Sequence, residues 1–425
     1  MGMIKIPEKS EIFFKDNYKN IFKNGSLAEG RWNVEISNWV TKYTNSRYAE
    51  VFNSNGSGIF SILSVLKKYR KKTNFFIQSN TMYGVKAMGI ASGLKYTGSV
   101  TCNLESLMPN LDSVERFILD LDNPESTVFL LTHIGGWVNP DIVEIVEVCK
   151  KAGVVVVEDC AHSLGSTLNG EHTGLFGIAG VYSLYATKAI PAGEGGIMVT
   201  NDKELSELVS RFIIYDRFKQ EMEIGINLRM SELNALLAYG VLLEIDNIIK
   251  NKQEIAKRYV EVCKRKGIDY IDPFSNGQIS NLYKFILINK SDKLDDYFAE
   301  ISSKTSPVYE YMLGEDPDLI SKRHICIPIW YNLEESKIQK TIEELNNFSP
   351  RLGIIEDLII SVKRDNFNQL RLLEQSNRKD TWITRPDNLS VSDLIQWYLA
   401  HSGVETVSEM DSKDAHGLLL KGKMR

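Results

Sequence analysis

Between Asn74 and Thr200 the chain alternates short, unbroken apolar runs with stretches of helical period. The runs FFIQ, VFLLTH, VVVVED, VYSLYATK and GIMVT lack the apolar/polar alternation of a half-exposed strand. Strands that are apolar at every position are buried on both faces, the condition of a mostly parallel sheet with helices on each side. The intervening GVKAMGIASGL and PDIVEIVEVCKKAG read as two such helices, so the predicted fold class is α/β. Ligand chemistry in these sheets collects beyond the carboxyl ends of the strands. His133, Asp159 and Lys188, which close three of the runs, are therefore predicted to lie at or near one edge of one sheet.

From Met230 to Lys266 the pattern changes to a long amphipathic helix or helix pair. Four regions follow: an N-terminal and large cofactor-binding domain over 1–230, a connecting helix over 231–266, a small α+β domain over 267–348, and an extension over 349–425. In the small domain YKFILIN and HICIPIW read as strands and EESKIQKTIEELNNF as a helix. The stretch IIEDLIISVKRDNFNQLRLLEQ carries apolar residues at helical spacing, so the extension is predicted helical, with Trp382, Arg385, Trp397 and Tyr398 assigned to amphipathic packing ahead of an interface or a reach toward substrate.

Composition narrows the partners. The chain has 425 residues, 43% of them hydrophobic, and a formal charge of −5 with no dense Lys/Arg block to follow a nucleic-acid backbone. Small-molecule partners are expected, without nucleic acid or membrane. The five cysteines are widely spaced and form no CxxC pair, which argues against a disulfide framework and a zinc site, and for a reducing cytoplasm. The opening MGMIKIPEKSE has no apolar core of signal-peptide length, Ile6 stands where a myristoylation signal has Ser or Thr, and no segment reaches the roughly 18 apolar residues of a membrane span.

Asp159 and Lys188 would place an acid and an amine on one cleft. Pyridoxal phosphate needs such a pair: a buried carboxylate keeps its pyridine nitrogen protonated, and a lysine amine holds its aldehyde. Singly, an Asp at a strand end caps a helix and a Lys is solvated. In order along the chain, however, stand Glu158-Asp159-Cys160-Ala161-His162, then Tyr182-Ser183-Leu184-Tyr185-Ala186-Thr187-Lys188, then Gly193-Glu194-Gly195-Gly196. This series resembles the DegT/DnrJ/EryC1/StrS family of sugar aminotransferases, with its E-D-x-A-[QH], F/Y-S-[FL]-x-x-x-K and G-E-G-G segments. The resemblance covers roughly residues 1–348, and implies the pyridoxal-phosphate aminotransferase fold type I.

Residue by residue, the resemblance implies that Asp159 pairs with the pyridine nitrogen, His162 lies near the ring hydroxyl, Lys188 holds the cofactor and Ser183 donates to its phosphate. Asn53-Ser54-Asn55-Gly56-Ser57-Gly58, ahead of an apolar-periodic run, suits a second phosphate contact through free backbone N–H groups. Against the family's S-G-T-A-A, Gly56 and Ser57 match while Asn55 and Gly58 depart. Met82, with Tyr83 beside it, stands where the family has an aromatic residue stacked on the ring. Gly225-Ile226-Asn227-Leu228-Arg229-Met230-Ser231-Glu232 resembles G-x-N-x-R-[ML]-S-E-[LI], whose asparagine reaches the neighbouring subunit's phosphate, so the resemblance implies a homodimer with shared sites. Read alone, the same stretch is a loop entering a helix capped by Ser231. The implied reaction moves an amino group from an amino acid, by resemblance glutamate, to a keto sugar carried on a nucleotide. The alternatives are a sugar dehydratase or deoxygenase of similar sequence, in which histidine replaces the lysine, and a non-catalytic regulator on the same fold.

Overall fold

The computed structural model describes residues 5–289, 298, 301–302, 306–309, 312 and 318–348, and beyond these the segments 357–363, 366–374, 379–384, 404–411 and 415–422. The chain divides into two compact units, Met1–Asn347 and Phe348–Arg425.

The apolar runs of the first unit become one sheet. Its strands are β1 (Tyr48–Phe52), β2 (Asn74–Gln78), β3 (Lys95–Val100), β4 (Thr127–Thr132) and β5 (Val155–Cys160), followed, after the short β6 (Thr167–Leu168) and β7 (Glu171–His172), by β8 (Ala179–Ser183) and β9 (Gly196–Thr200). They lie in the order β1-β9-β8-β5-β4-β2-β3. Strands β3, β2, β4, β5 and β8 run parallel, and β9 is antiparallel to both β8 and β1. Burial on both faces is explicit: Phe75, Ile77, Val128, Leu130 and Val157 join one core cluster, while their chain neighbours Phe76, Phe129, Leu131 and Val156 join another. This two-sided burial is why these runs do not alternate in sequence.

Helices α1 (Glu8–Asn24), α2 (Arg31–Thr44), α3 (Asn55–Arg70), α4 (Tyr83–Ala91), α5 (Leu111–Leu119), α6 (Ile142–Lys151) and α7 (Lys203–Phe212) accompany the sheet. The predicted connecting segment is a pair, α8 (Glu232–Leu242) and α9 (Ile245–Lys266). Glu232 is buried at the start of α8, where its carboxylate accepts the Trp32 N–H at 2.7 Å and Asn33 Nδ2–H at 2.8 Å. It thereby neutralises the donor-rich first turn of α2. Beyond α9, after β10 (Gln278–Ile279), strands β11 (Phe285–Ile288) and β12 (His324–Ile327) pair antiparallel, and the helix Glu335–Asn347 packs on α9.

The extension differs from the reading of the sequence. Its described residues form strands β13 (Asp357–Lys363), β14 (Asn366–Glu374), β15 (Lys379–Thr384), β16 (Val404–Asp411) and β17 (Ala415–Gly422), in an antiparallel sheet of order β15-β14-β13-β17-β16. Thus the helical assignment of 349–425 is wrong for these segments. Leu358, Ile360 and Val362 satisfy a period of two as well as a helical spacing, and β-branched residues favour the extended choice. Trp382 falls in β15, whereas Arg385, Trp397 and Tyr398 lie outside the described residues.

Candidate active site

Asp159, the penultimate residue of β5, is in register with Thr132 of β4 and Val181 of β8. It is buried, yet its Oδ1 accepts Asn55 Nδ2–H at 3.0 Å and the Ala161 N–H at 3.1 Å, and Thr132 Oγ1 lies 3.5 Å from its Oδ2. Burial pushes its pKa up; the attraction of Lys188 is the largest force pulling it back, followed by the donors from Ala161 and Asn55. Asp159 and Lys188 thus lie near enough for each charge to favour the other. Asn55, which departs from the family motif, spends its second amide hydrogen on the Val181 carbonyl at 2.7 Å and so ties α3 to both strands. Asn55→Ala is expected to leave the Asp159 carboxylate under-donated in a buried place and to weaken cofactor retention about tenfold, measured by dialysis against cofactor-free buffer.

Lys188 lies past the end of β8, in the loop between β8 and β9. Ladder-like bonds hold that loop: Leu184 N–H to Gly195 O at 2.9 Å, Ala186 N–H to Gly193 O at 2.9 Å and Ala192 N–H to Leu184 O at 2.8 Å. Gly196 then passes so close to α3 that an added Cβ would stand 2.3 Å from the Ser54 carbonyl oxygen. Only glycine lets β9 meet the start of α3 there, which gives the Gly-Glu-Gly-Gly run its physical basis. Burial lowers the Lys188 ammonium from 10.5 to about 8, against the attraction of Asp159 and with the repulsion of Lys284.

His162 is buried just beyond β5. Its ring stacks on Tyr283 with centroids 4.4 Å apart, and Lys188 Nζ lies 5.4 Å from the centre of the same tyrosine ring. Nδ1 accepts the Gly135 N–H at 3.4 Å, leaving the proton on Nε2, which is 3.3 Å from Tyr309 Oη. Burial, then repulsion from Lys188 and Lys284, drives the imidazolium far down, so this ring is neutral. Asn281 holds the tyrosine loop in place by donating to the carbonyls of His162 and Leu164, both at 2.9 Å.

At the start of α3, Ser54 is the cap, accepting the Ser57 N–H at 3.1 Å, and Gly56 and Ser57 form the first turn. Ser57 Oγ donates to Asn53 Oδ1 at 2.5 Å. Ser183 Oγ accepts the Tyr185 N–H at 3.3 Å. Met82 precedes α4 and is half exposed, as is Tyr83, so neither is locked by packing. Asn227 is exposed, its Oδ1 accepting Arg229 Nε–H at 2.9 Å, while Arg229 pairs with Glu29 at 2.6 Å and Ser231 caps α8. His133 does lie past the end of β4, but its side chain turns to Glu158 at 2.8 Å. Glu158 also accepts the Gly174 and Gly177 N–H groups, both at 2.6 Å, so this carboxylate is satisfied within the core. The motif reading missed Asn55, Tyr283, Tyr309 and Lys284. Only Asn55 carried a signal, as a departure inside a phosphate-type turn.

A buried carboxylate and a desolvated lysine near the carboxyl edge of a seven-stranded, mostly parallel sheet, beside a helix N-terminus, fit a pyridoxal-phosphate enzyme of fold type I. The model of the DegT/DnrJ/EryC1/StrS aminotransferase family matches residues 9–346, and the chain belongs to that family of pyridoxal-phosphate-dependent aminotransferases. GDP-perosamine synthase of Vibrio cholerae is 32% identical over 270 residues, which cover 57% of this chain and 71% of that protein. The UDP-4-amino-4,6-dideoxy-N-acetyl-beta-L-altrosamine transaminase of Helicobacter pylori is 22% identical over 309 residues, covering 69% and 81%. Among solved structures, Helicobacter pylori PseC superposes with a TM-score of 0.68 at 18% identity, over 80% of this chain and 96% of its own. Spr1654 of Streptococcus pneumoniae, solved in its PLP form, superposes with a TM-score of 0.68 at 17% identity, over 81% and 96%. The donor set fits the cofactor: a carboxylate for a cationic ring, an amine for an aldehyde and helix N–H groups for a phosphate. No helix among the described residues is long and apolar enough to cross a membrane.

Proposed function

We propose that this enzyme transfers an amino group from an amino-acid donor, glutamate, to a keto sugar carried on a nucleotide. The observation that carries the reading is the buried Asp159 carboxylate at the end of β5, held by Asn55 and Ala161, with the desolvated Lys188 near enough for the two charges to favour each other. Sugar substrates are supported by the relatives, which are named for GDP- and UDP-linked amino sugars. Bound pyridoxal phosphate supplies an electron sink and a temporary seat for the nitrogen.

The chain's own residues do the rest. Asp159 would hold a negative charge against the ring nitrogen, and Gly56, Ser57 and Ser183 would hold the phosphate. Lys188 Nζ takes the proton from the donor's α-carbon and later gives one to the acceptor carbon. At pH 7.5 an amine that titrates near 8 is roughly a quarter neutral, against about one part in a thousand for an ordinary lysine. Neutral His162, braced by Tyr283, would stand beside the ring hydroxyl, and Met82 or its neighbour Tyr83 would cover the ring. The exposed Asn227, held by Arg229, would reach the phosphate of a second copy in a homodimer. A lysine at position 188 disfavours the dehydratase reading. Keto nucleotide sugars screened with glutamate test the proposal: 2-oxoglutarate should appear only with an acceptor, beyond a single turnover. A protein-bound cofactor that glutamate leaves spectrally unchanged would contradict it.

A further inference from the structure

Segment 306–309, between β11 and β12, brings Tyr309 to the carboxyl edge of the sheet. Its main chain is fixed there: the Tyr309 N–H donates at 3.0 Å to Oδ1 of Asn80, a buried residue just past β2 whose own amide donates to Leu107 O at 3.0 Å. Its side chain packs on the cluster that includes Leu107, Ile134 and Cys326. Its hydroxyl lies 3.3 Å from Nε2 of His162, just past β5. In the strand order β5-β4-β2 the residue therefore spans the end of β4, with Asn80 on one side and His162 on the other. The direction of the His162 contact follows from the protons. Nδ1 of His162 accepts the Gly135 N–H at 3.4 Å, so Nε2 carries the hydrogen and the phenol oxygen of Tyr309 accepts it. The O–H hydrogen of Tyr309 is then directed away from His162. The neighbouring Tyr283 is not equivalent: it gives His162 its ring face, with centroids 4.4 Å apart, and its hydroxyl is bonded to Thr187.

We propose that Tyr309 donates this hydrogen to the ring oxygen of the bound cofactor, with His162 as the positioning residue that orients the phenol. The proposal rests on the reading, given above, that His162 stands beside the ring hydroxyl. A donor there stabilises the ring oxygen as an anion. It therefore favours the deprotonated form of the lysine–cofactor imine, in which the oxygen no longer shares its charge with an imine proton. The charges around His162 are those of Lys188 and Lys284, and Asp159 acts on Lys188; a substitution at position 309 leaves all three in place.

The test is a spectrophotometric pH titration of the imine band in the full-length, cofactor-loaded enzyme. Removing the donor should raise the imine pKa, so the midpoint of Tyr309→Phe should lie about one pH unit above that of the wild type, roughly the effect of one hydrogen bond to an anion. His162→Ala should move the midpoint in the same direction, and the double variant no further than Tyr309→Phe, since one phenol delivers both effects. Tyr309→Phe keeps its ring on the apolar cluster, so the cofactor-free variant should melt close to the wild type, which separates a lost donor from a damaged fold. A midpoint that Tyr309→Phe leaves unchanged overturns the proposal, as does a His162→Ala shift that adds in full to that of Tyr309→Phe. If glutamate still discharges the band in either case, the aminotransferase reading stands without Tyr309. A wild type with no imine band would end both.

Discussion

Lys188→Ala should lower turnover by about 10⁴-fold or more, because one amine both anchors the cofactor and moves the substrate's proton. The protein should remain folded, since burial already disfavours this ammonium. The absorption band of the lysine–cofactor imine should disappear while pyridoxal phosphate still binds reversibly as its aldehyde. Steady-state turnover and an absorption spectrum measure both, and activity within tenfold of wild type would remove Lys188 from the chemistry. The same residue sets a pH signature. Only the neutral amine captures the aldehyde, so capture by cofactor-free enzyme should accelerate with rising pH and level off above about 8. An ordinary lysine would keep accelerating towards 10.5.

Asp159→Asn should cost about 10²–10³-fold in kcat with the architecture preserved. The amide oxygen can still accept from Asn55 and Ala161, so the substitution removes charge and little else. A second consequence separates electrostatics from damage. Attraction to Asp159 holds the Lys188 pKa up, so removing the carboxylate should move the capture midpoint below that of wild type. Stopped-flow capture rates across pH read this directly, and an unchanged midpoint would show that the two groups are uncoupled.

Much of this site was legible because it is local. FFIQ, VFLLTH and VVVVED could be read as doubly buried strands from their composition, and the strand ends then located Asp159 and Lys188 near a common edge. The GEGG run was legible as a motif, but its cause, the approach of Gly196 to the Ser54 carbonyl, joins segments far apart in sequence. Tyr283 escaped notice for the same reason: it meets His162 only after the chain has crossed α8 and α9 and returned. Asn55 looked like a weakness of the phosphate turn and proved to be a hydrogen-bond partner of Asp159. The extension failed on period. Its apolar residues fit helix and strand spacing alike, and the deciding partner of Leu358 is Leu420, which no local window contains.

Borohydride reduction of the cofactor-loaded enzyme, followed by peptide mass mapping, is the most direct test of the active-site assignment, because Lys188, Lys252 and Lys284 all line one cavity. The reduced cofactor should appear on the peptide containing Lys188 and on no other. Label on Lys252 or Lys284, or a protein that takes up pyridoxal phosphate without forming any reducible bond, would contradict that assignment.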